Sequence, residues 1–443
     1  MEHFNAYSPR YLSALREGNG RYKVRLDLLS NGEQVIDEIT KDVSLTAQGQ
    51  ITINYEQITR RSCTLTLIDV DKKYLPHKNS GFWINRKFKL WLGLAVNSTS
   101  GEQDIYWWSE GIFYTLSVNA LENSTISIEA VDKGGVLDGT LKLNLSESQY
   151  LICRGALLPQ VIKDTLALNT GCCNVCKLND LIYGDNTPID NIPPIIGIEY
   201  FNTRIVSEIS VDANNYISTI FEELADIYAA DCYYDTEGHF VFKPYLESSG
   251  YQYAPSQWSF NNLSSFFEDV NYSYSYDGIN AVTYYTNTSE AGVKNVAWTA
   301  YNTNPLSPLN ISCGIRRDES QEIPYYDTQL PENSPYTEEE IRRKQQEQAI
   351  KDCRAAANHH LLKKSLIGMQ LNFNCPIIPH LDVNKTIEIT DEAVGLDGNV
   401  FIIQSVTIPL SAAKMSISAT NINWLPNGMS FCGVAEVVEG GGE

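Results

Sequence analysis

The sequence predicts a mainly β protein: two tube-like β-barrel domains on one chain, with a smaller α+β domain inserted between them. Two observations carry this expectation. Short runs of alternating apolar and polar residues recur at steady spacing between turn residues, and strand side chains repeat every two residues. One unit of three such runs also occurs twice. Near the front it comprises Lys87–Leu92, Gly111–Val118 and Thr125–Ala130; near the back, Lys385–Ile389, Gly398–Val406 and Met415–Ala419. Any antiparallel meander gives a similar pattern, so the repeat fits either a duplicated domain or two ordinary meanders. The duplicated domain is the expectation taken forward.

The elements follow in chain order. Residues 1–20 read as a polar arm with a short helical turn around Tyr11–Arg16. The first β domain covers 21–140. Its opening run, Tyr22–Leu28, alternates, with Val24, Leu26 and Leu28 inward and Lys23, Arg25 and Asp27 outward. Asn31-Gly32 is a hairpin turn, because both central residues tolerate positive φ. Gln34–Ile36, Ile51–Asn54, Cys63–Ile68, Lys87–Leu92, Ile105–Trp108, Gly111–Val118 and Thr125–Ala130 are the remaining strands.

Residues 141–262 change character and form the inserted α+β domain. Gln149–Leu168 is helical in part, with Pro159 in a first turn. The proline-rich loop Pro188–Pro194 follows. Asp212–Ala230 is the clearest helix, with Asp212 or Asn215 as cap and Ile217, Ile220, Phe221, Leu224 and Tyr228 on one apolar stripe. A hairpin of Cys232–Tyr234 and Phe240–Lys243 closes the domain. The second β domain covers 263–425. Val270, Tyr272, Tyr274 and Tyr276 alternate there, Asp277-Gly278 turns, and Ala281–Tyr285 is expected to pair back. Thr337 and Glu340 make a capping box that opens a long helix at about 337–362. Residues 426–443 end in glycines and read as a flexible tail.

Composition narrows the function classes. The 443 residues suffice for roughly two to four domains. Hydrophobic residues make up 43% of them, enough for a packed core. Tyr is abundant (26) and Met scarce (4), which favours strands and loops over helices. A net charge of −21 repels nucleic acid and anionic membrane, which argues against DNA binding by the chain as a whole. No apolar run approaches the roughly 20 residues of a membrane span. The polar start Met1–Asn5 predicts no signal peptide. Ten cysteines, thinly spread, fit free thiols in a reducing cytoplasm better than a disulfide framework.

No constellation of catalytic type stands out. Cys172, Cys173 and Cys176 could ligate zinc with Cys153 as a fourth ligand, but a second CxxC or a His pair at usable spacing is missing. Packed thiols or a local disulfide are the favoured reading. His359 and His360 are adjacent on a helix and point about 100° apart, so they cannot share a metal as an i, i+4 pair does. The acids Asp69, Asp71, Asp132, Asp138, Glu222, Glu223, Asp391, Glu392 and Asp397 contain no pair that sequence alone can assign to a sugar cleft. Nucleophile-elbow, zinc-protease and phosphate-loop motifs are missing. Trp83, Trp107 and Trp108 read as core or interface anchors before sugar platforms. The expectation is no catalytic, cofactor or metal residue.

Four stretches resemble the baseplate hub and tail-tip proteins of tailed bacteriophages and related contractile injection systems. They are Arg61–Asp69 with Phe88–Gly93, Glu110–Tyr114 leading to Ile126–Lys133, Ile217–Pro244, and Leu381–Ile389 through Gly398–Ile408. The resemblance implies two tube-like barrels per chain and a trimeric ring that matches a sixfold tail tube to a threefold tip or spike. It implies as partners the chain itself as a homotrimer, a tail tube or distal tail protein, a spike or tip protein and the tape measure protein. It also implies a virion location after synthesis in the host cytoplasm. No lysozyme, peptidase or LysM-like part follows here, so the wall-cutting role of some relatives is in doubt. A tail-associated wall hydrolase and a glycan-binding adhesin are the alternatives.

Overall fold

The computed structural model describes residues 1–18, 20–42, 44–75, 86–97, 103–141, 150–153, 155–167, 195–201, 205, 209–212, 215–228, 230–244, 256–261, 267–274, 278–287, 295–305, 307–324, 337–366, 369–410, 414–421 and 431–438. The front of the chain forms Glu2–Phe4 (β1), the helix Pro9–Glu17 (α1), Arg21–Leu29 (β2), Val35–Glu38 (β3), Ser44–Asn54 (β4), Arg61–Ile68 (β5), Lys87–Asn97 (β6), Gln103–Leu121 (β7) and Thr125–Asp132 (β8). The inserted part holds Tyr150–Ile152 (β9), Leu158–Leu166 (α2), Ile209–Val211 (β10), Ile217–Tyr228 (α3), Ala230–Tyr234 (β11) and Phe240–Pro244 (β12). Trp258–Asn261 (β13), Glu268–Tyr274 (β14), Ala281–Asn287 (β15), Asn295–Asn302 (β16) and Gln321–Pro324 (β17) follow. Glu338–Leu366 (α4), Met369–Pro376 (β18), Thr386–Asp391 (β19), Leu396–Pro409 (β20), Lys414–Asn421 (β21) and Phe431–Val438 (β22) complete the set.

The fold is mainly β with an α+β insertion, and its two β units are wired alike. The first is ordered β4-β5-β8-β7-β6-β2 across the sheet, the second β14-β18-β21-β20-β19-β13. Read in that order, each position holds the strand of the same rank in its unit's chain order. One pairing differs: β2 meets β6 antiparallel, while β13 meets β19 in parallel. Both units also carry one extra residue at the same point. The ladder slips between Thr115 and Ser117 on β7 and between Ile403 and Ser405 on β20, in each case just before a Ser-Val pair. Such bulges bend and twist a strand locally. Next to them, the Thr115 amide donates to the Arg86 carbonyl and the Ile403 amide to the Lys385 carbonyl, both at 2.9 Å. The duplicated unit is therefore present as expected. The two units are not separate sheets, however. Ser405–Pro409 of β20 pairs antiparallel with Gln50–Asn54 of β4 and fuses both into one 14-stranded sheet.

Burial follows the alternation. Ile51, Ile53, Leu65, Leu67, Ile126 and Ile128 of the first unit join Ile387, Ile389, Val406, Ile408 and Ile417 of the second in one apolar cluster. At about 25 cal/mol per Å² of apolar surface removed from water, this burial is the main favourable term in folding. Asp27 is the exception to the inward–outward assignment. It is buried and accepts from Trp91 Nε1 and Arg25 Nε, both at 2.9 Å, because both faces of β2 are covered at that point.

Several expected boundaries move. The N-terminal arm is part of the fold: β1 runs parallel to β7, Ser8 Oγ caps α1 at the Tyr11 amide (3.0 Å), and Tyr11 and Leu15 are buried. Ile105–Trp108 and Gly111–Val118 are one strand, kinked at Glu110 where the ladder to β6 slips. β13, expected within the inserted domain, pairs with β19 and belongs to the second β unit. β15 does not return to β14. It pairs with β16 in a separate four-stranded sheet, β17-β15-β16-β22, against which Cys353, Ala357 and Leu361 of α4 pack. The expected tail at 426–443 contains β22, which pairs with β16 over its full length. Its run Phe431–Val438 is rich in strand formers, and a backbone ladder was open beside it. α4 begins at the expected capping box, with the Thr337 amide donating to Glu340 Oε2 (3.0 Å), and extends to Leu366. Among the described residues no helix is long and apolar enough to cross a membrane.

Candidate functional site

Buried ion pairs join the first β unit to the inserted domain and to the second β unit along one seam. Arg60 and Arg61 end the tight connection from β4 to β5 and are 2% and 1% exposed. Alternation sends the two side chains to different neighbours. Arg60 pairs with Asp231 on β11 at 2.5 Å, with Tyr233 and Tyr55 rings 3.5 and 4.8 Å from its guanidinium carbon. Burial opposes its charge, but Asp231 and the two tyrosines outweigh burial and push its pKa up. Arg61 donates to the Tyr234 carbonyl (3.1 Å) and pairs with Asp382 of the second unit. Asp132 accepts from the Arg61 and Gly134 amides, both at 2.9 Å, and burial raises its pKa to about 7 against Arg61 and those amides.

The tip of the β11–β12 hairpin is pinned to the first unit by a second set of bonds. Lys133, 1% exposed, pairs with Glu33 and donates to the Gly238 carbonyl at 2.9 Å. Burial lowers its pKa, with Glu33 opposing. Lys89 meets Glu237 at 2.6 Å, and Ser109 Oγ donates to the Thr236 carbonyl at 2.7 Å. Gly134 permits the approach of the turn after β8 to the β4–β5 connection: a Cβ there would lie 2.4 Å from the Ile58 carbonyl oxygen.

Beside this seam lies a cleft of about 320 Å³, lined by Trp108, Glu110, Thr236, His380, Asp382 and Lys385. Glu110 is the extra residue of the kink in β7. It is 3% exposed and its Oε1 has no hydrogen-bond partner among the described residues. Burial, then the nearby Asp382, push its pKa well above the usual carboxyl range, with Arg61 opposing. His380 shares a 2.8 Å hydrogen bond with Tyr11 and packs on Trp108 and Trp258; burial lowers its pKa to about 4. A second hollow, about 430 Å³, opens between α3, α4 and the β4–β5 connection, lined by Tyr55, Glu222, Asp226, Tyr284, His360 and Gln404.

The residues singled out from sequence have structural placements. Asp69 accepts from the Lys73 and Tyr74 amides, Asp138 from Thr59 Oγ1 and the Thr140 amide, and Asp391 from the Ala393 amide. Asp71, Glu222, Glu223, Glu392 and Asp397 are exposed. His360 bonds Asp318 (2.8 Å) and Tyr284 (3.1 Å), while His359 is buried. Trp107 lies under Gly93 and is buried; Trp108 packs on Tyr7, Tyr11 and His380. Trp83, Cys172, Cys173 and Cys176 lie outside the described residues, whereas Cys153 is a free, exposed thiol. Among the described residues no group of three His, Cys, Asp or Glu side chains is placed to hold a metal ion. The sequence reading passed over Arg60, Arg61, Glu110 and Asp382 as site residues. The available signal was a double arginine opening the otherwise alternating run Ser62–Ile68.

No family model and no curated protein matches the sequence. Solved structures do. A tail protein from Neisseria meningitidis superposes with a TM-score of 0.54 at 11% identity, over 92% of this chain and 99% of that one. A 43 kDa tail protein of the prophage MuSo2 from Shewanella oneidensis gives 0.50 at 13% identity, over 90% and 98%. A prophage tail protein from Listeria monocytogenes gives 0.47 at 12% identity, over 90% and 94%. Each of the first two is covered almost end to end, so the likeness is to the whole architecture. The chain has the fold of bacteriophage tail proteins.

Proposed function

We propose that the chain is a structural hub of a phage tail or related injection particle, a trimeric ring that joins a sixfold tube to a threefold tip or spike. The observation that carries this reading is the duplication: two β units with the same strand order and a bulge at the same point. Three copies of such a chain present six similar units, and closed rings are the usual way identical subunits satisfy their surfaces. The seam of buried ion pairs supports the same reading, because it fixes both units and the inserted domain in one rigid frame. Tube subunits would bind one face of the ring, and the tip or spike protein, with the tape measure protein, the other. The net charge of −21 suits a channel from which DNA slides without sticking. Native mass spectrometry of the purified chain tests the reading: a trimer is expected. A strictly monomeric chain that is also missing from tail tips in electron cryomicroscopy of the particle overturns it.

A second reading, a tail-associated wall hydrolase, is favoured by one observation. The buried acid Glu110, its pKa raised by burial, lines the same cleft as Asp382, and a pair of carboxyl groups in one cleft is what glycosidases use. Release of reducing sugars from peptidoglycan by the wild type, abolished in E110Q, would establish it.

A further inference from the structure

The joint inside the chain is a template for one the chain leaves open. The common Ser-Val pair aligns Ser117 and Val118 with Ser405 and Val406, and the ladders carry the equivalence outward. Val118 pairs with Ile128 and Val406 with Ile417. Through β8 and β21, Cys63 corresponds to Leu371, and through β5 and β18, Ile51 corresponds to Tyr272. β4 and β14 thus occupy the same place in their units, and each carries a register slip just before it, between Leu45 and Gly49 and between Glu268 and Asn271.

The two equivalent edges have different fates. In the second unit, Ser405–Pro409 of β20 is taken up by β4, with Ile53 opposite Val406 and Ile51 opposite Ile408, all four buried. The Tyr55 and Leu410 amides extend the joint, donating to the Gln404 and Gly49 carbonyls at 2.9 Å. In the first unit, no strand among the described residues pairs with Ser117–Leu121 of β7 on the side facing away from β8. The outer edge of β14 is also unpaired among the described residues. Asn119, Ala120, Asn271 and Ser273 are exposed, and Leu121 is 56% exposed. Open edges of this kind invite pairing with another chain.

We propose that these two edges are complementary halves of one interface, and that β14 of one copy pairs antiparallel with the end of β7 of the next. The register copied from the inner joint sets Tyr274 opposite Val118, Ser273 opposite Asn119, Tyr272 opposite Ala120 and Asn271 opposite Leu121. The occupant of each edge is a second copy of this chain, since each copy carries both halves. Side-chain size agrees at the central pair. The inner joint sets Ile51 against Ile408, whereas the outer sets the large Tyr272, half-buried against its own Phe401, against the small Ala120. The interface is head-to-tail, so it closes into a ring or runs on as a filament. The inference rests on the ring reading above, for which it supplies the contact between copies.

The test is cysteine bridging in the full chain. L121C/N271C places two exposed thiols at directly opposite positions, about 5 Å apart between Cβ atoms, within reach of oxidation or of dibromobimane. The single variants control for the exposed native Cys153 and Cys313, and L121C/S273C is an out-of-register control. The expected result is covalent dimers and trimers on non-reducing gels for L121C/N271C, at least tenfold above both single variants and clearly above the offset pair. A trimer by native mass spectrometry without this bridging overturns the interface and leaves the ring reading standing. Bridging into an open ladder of ever larger species supports the interface and overturns the closed ring. A chain that stays monomeric and unbridged overturns the interface, and it overturns the ring reading as well when the chain is also missing from tail tips.

Discussion

Replacing Arg60 by Met should cost far more than replacing a surface arginine. The 2.5 Å contact with Asp231 corresponds to a gross Coulomb term of about 7 kcal/mol at an effective dielectric constant near 20, before desolvation is subtracted. Both partners are buried, at 2% and 9% exposure. Removing one partner of such a pair strands the other charge and costs ~3–5 kcal/mol, whereas replacing both with apolar groups is often nearly neutral. R60M and D231L are therefore each expected to destabilise by ~3–5 kcal/mol, and R60M/D231L to recover to within ~2 kcal/mol of the wild type. Because a chain of several parts need not unfold in one step, the assay is hydrogen exchange by mass spectrometry on peptides covering Ala230–Pro244. Exchange there should speed up about 140-fold to 3,700-fold in the single variants, at 1.4 kcal/mol per tenfold. Two results refute the reasoning: single variants that change exchange less than about fivefold, or a double variant as fast as the product of the two. Either would mean that the seam does not hold the inserted domain.

Glu110, with its raised pKa, stabilises the fold below the unfolded carboxyl pKa and loses that contribution as pH rises through the folded value. E110Q should therefore gain stability relative to the wild type with rising pH, as read by urea unfolding at a series of pH values. His380 has the opposite sign. Its lowered pKa gives stability that is complete above about pH 6.5 and is lost as pH falls to about 4, roughly 3 kcal/mol in all. H380Q should flatten that acid limb in the same titration. G134A should destabilise by several kcal/mol, because the added carbon would meet backbone atoms of Ile58 and Thr59 that cannot turn aside. A melting shift below about 2 °C would contradict this.

What could be read along the chain was local. The alternation of Ile126, Ile128 and Ala130 against Thr125, Ser127 and Glu129 marks a strand regardless of its partner, and the Thr337–Glu340 cap marks a helix start from four residues alone. The repeat was legible for the same reason, since both copies keep a Ser-Val pair on the long strand. Pairing across distance was not legible. Nothing local says that β13 joins β19, that β15 leaves β14 for a separate sheet, or that β22 returns to β16. The site failed to show for the same reason. Arg60 finds Asp231 at a separation of 171 residues and Arg61 finds Asp382 at 321, so their partners are set by tertiary placement. Asp27 was assigned outward by alternation, and Trp91, brought across from β6, joins its neighbour Arg25 in satisfying it inside.

The way β20 divides its length has a mechanical consequence. Its first half is held by β19 and its second by β4, so the front and back of the polypeptide are stitched by strands that overlap like staggered planks. A pull along the strand axis loads the stitches between Gln50–Asn54 and Ser405–Pro409 together, as shear, where a peeling force would open them singly.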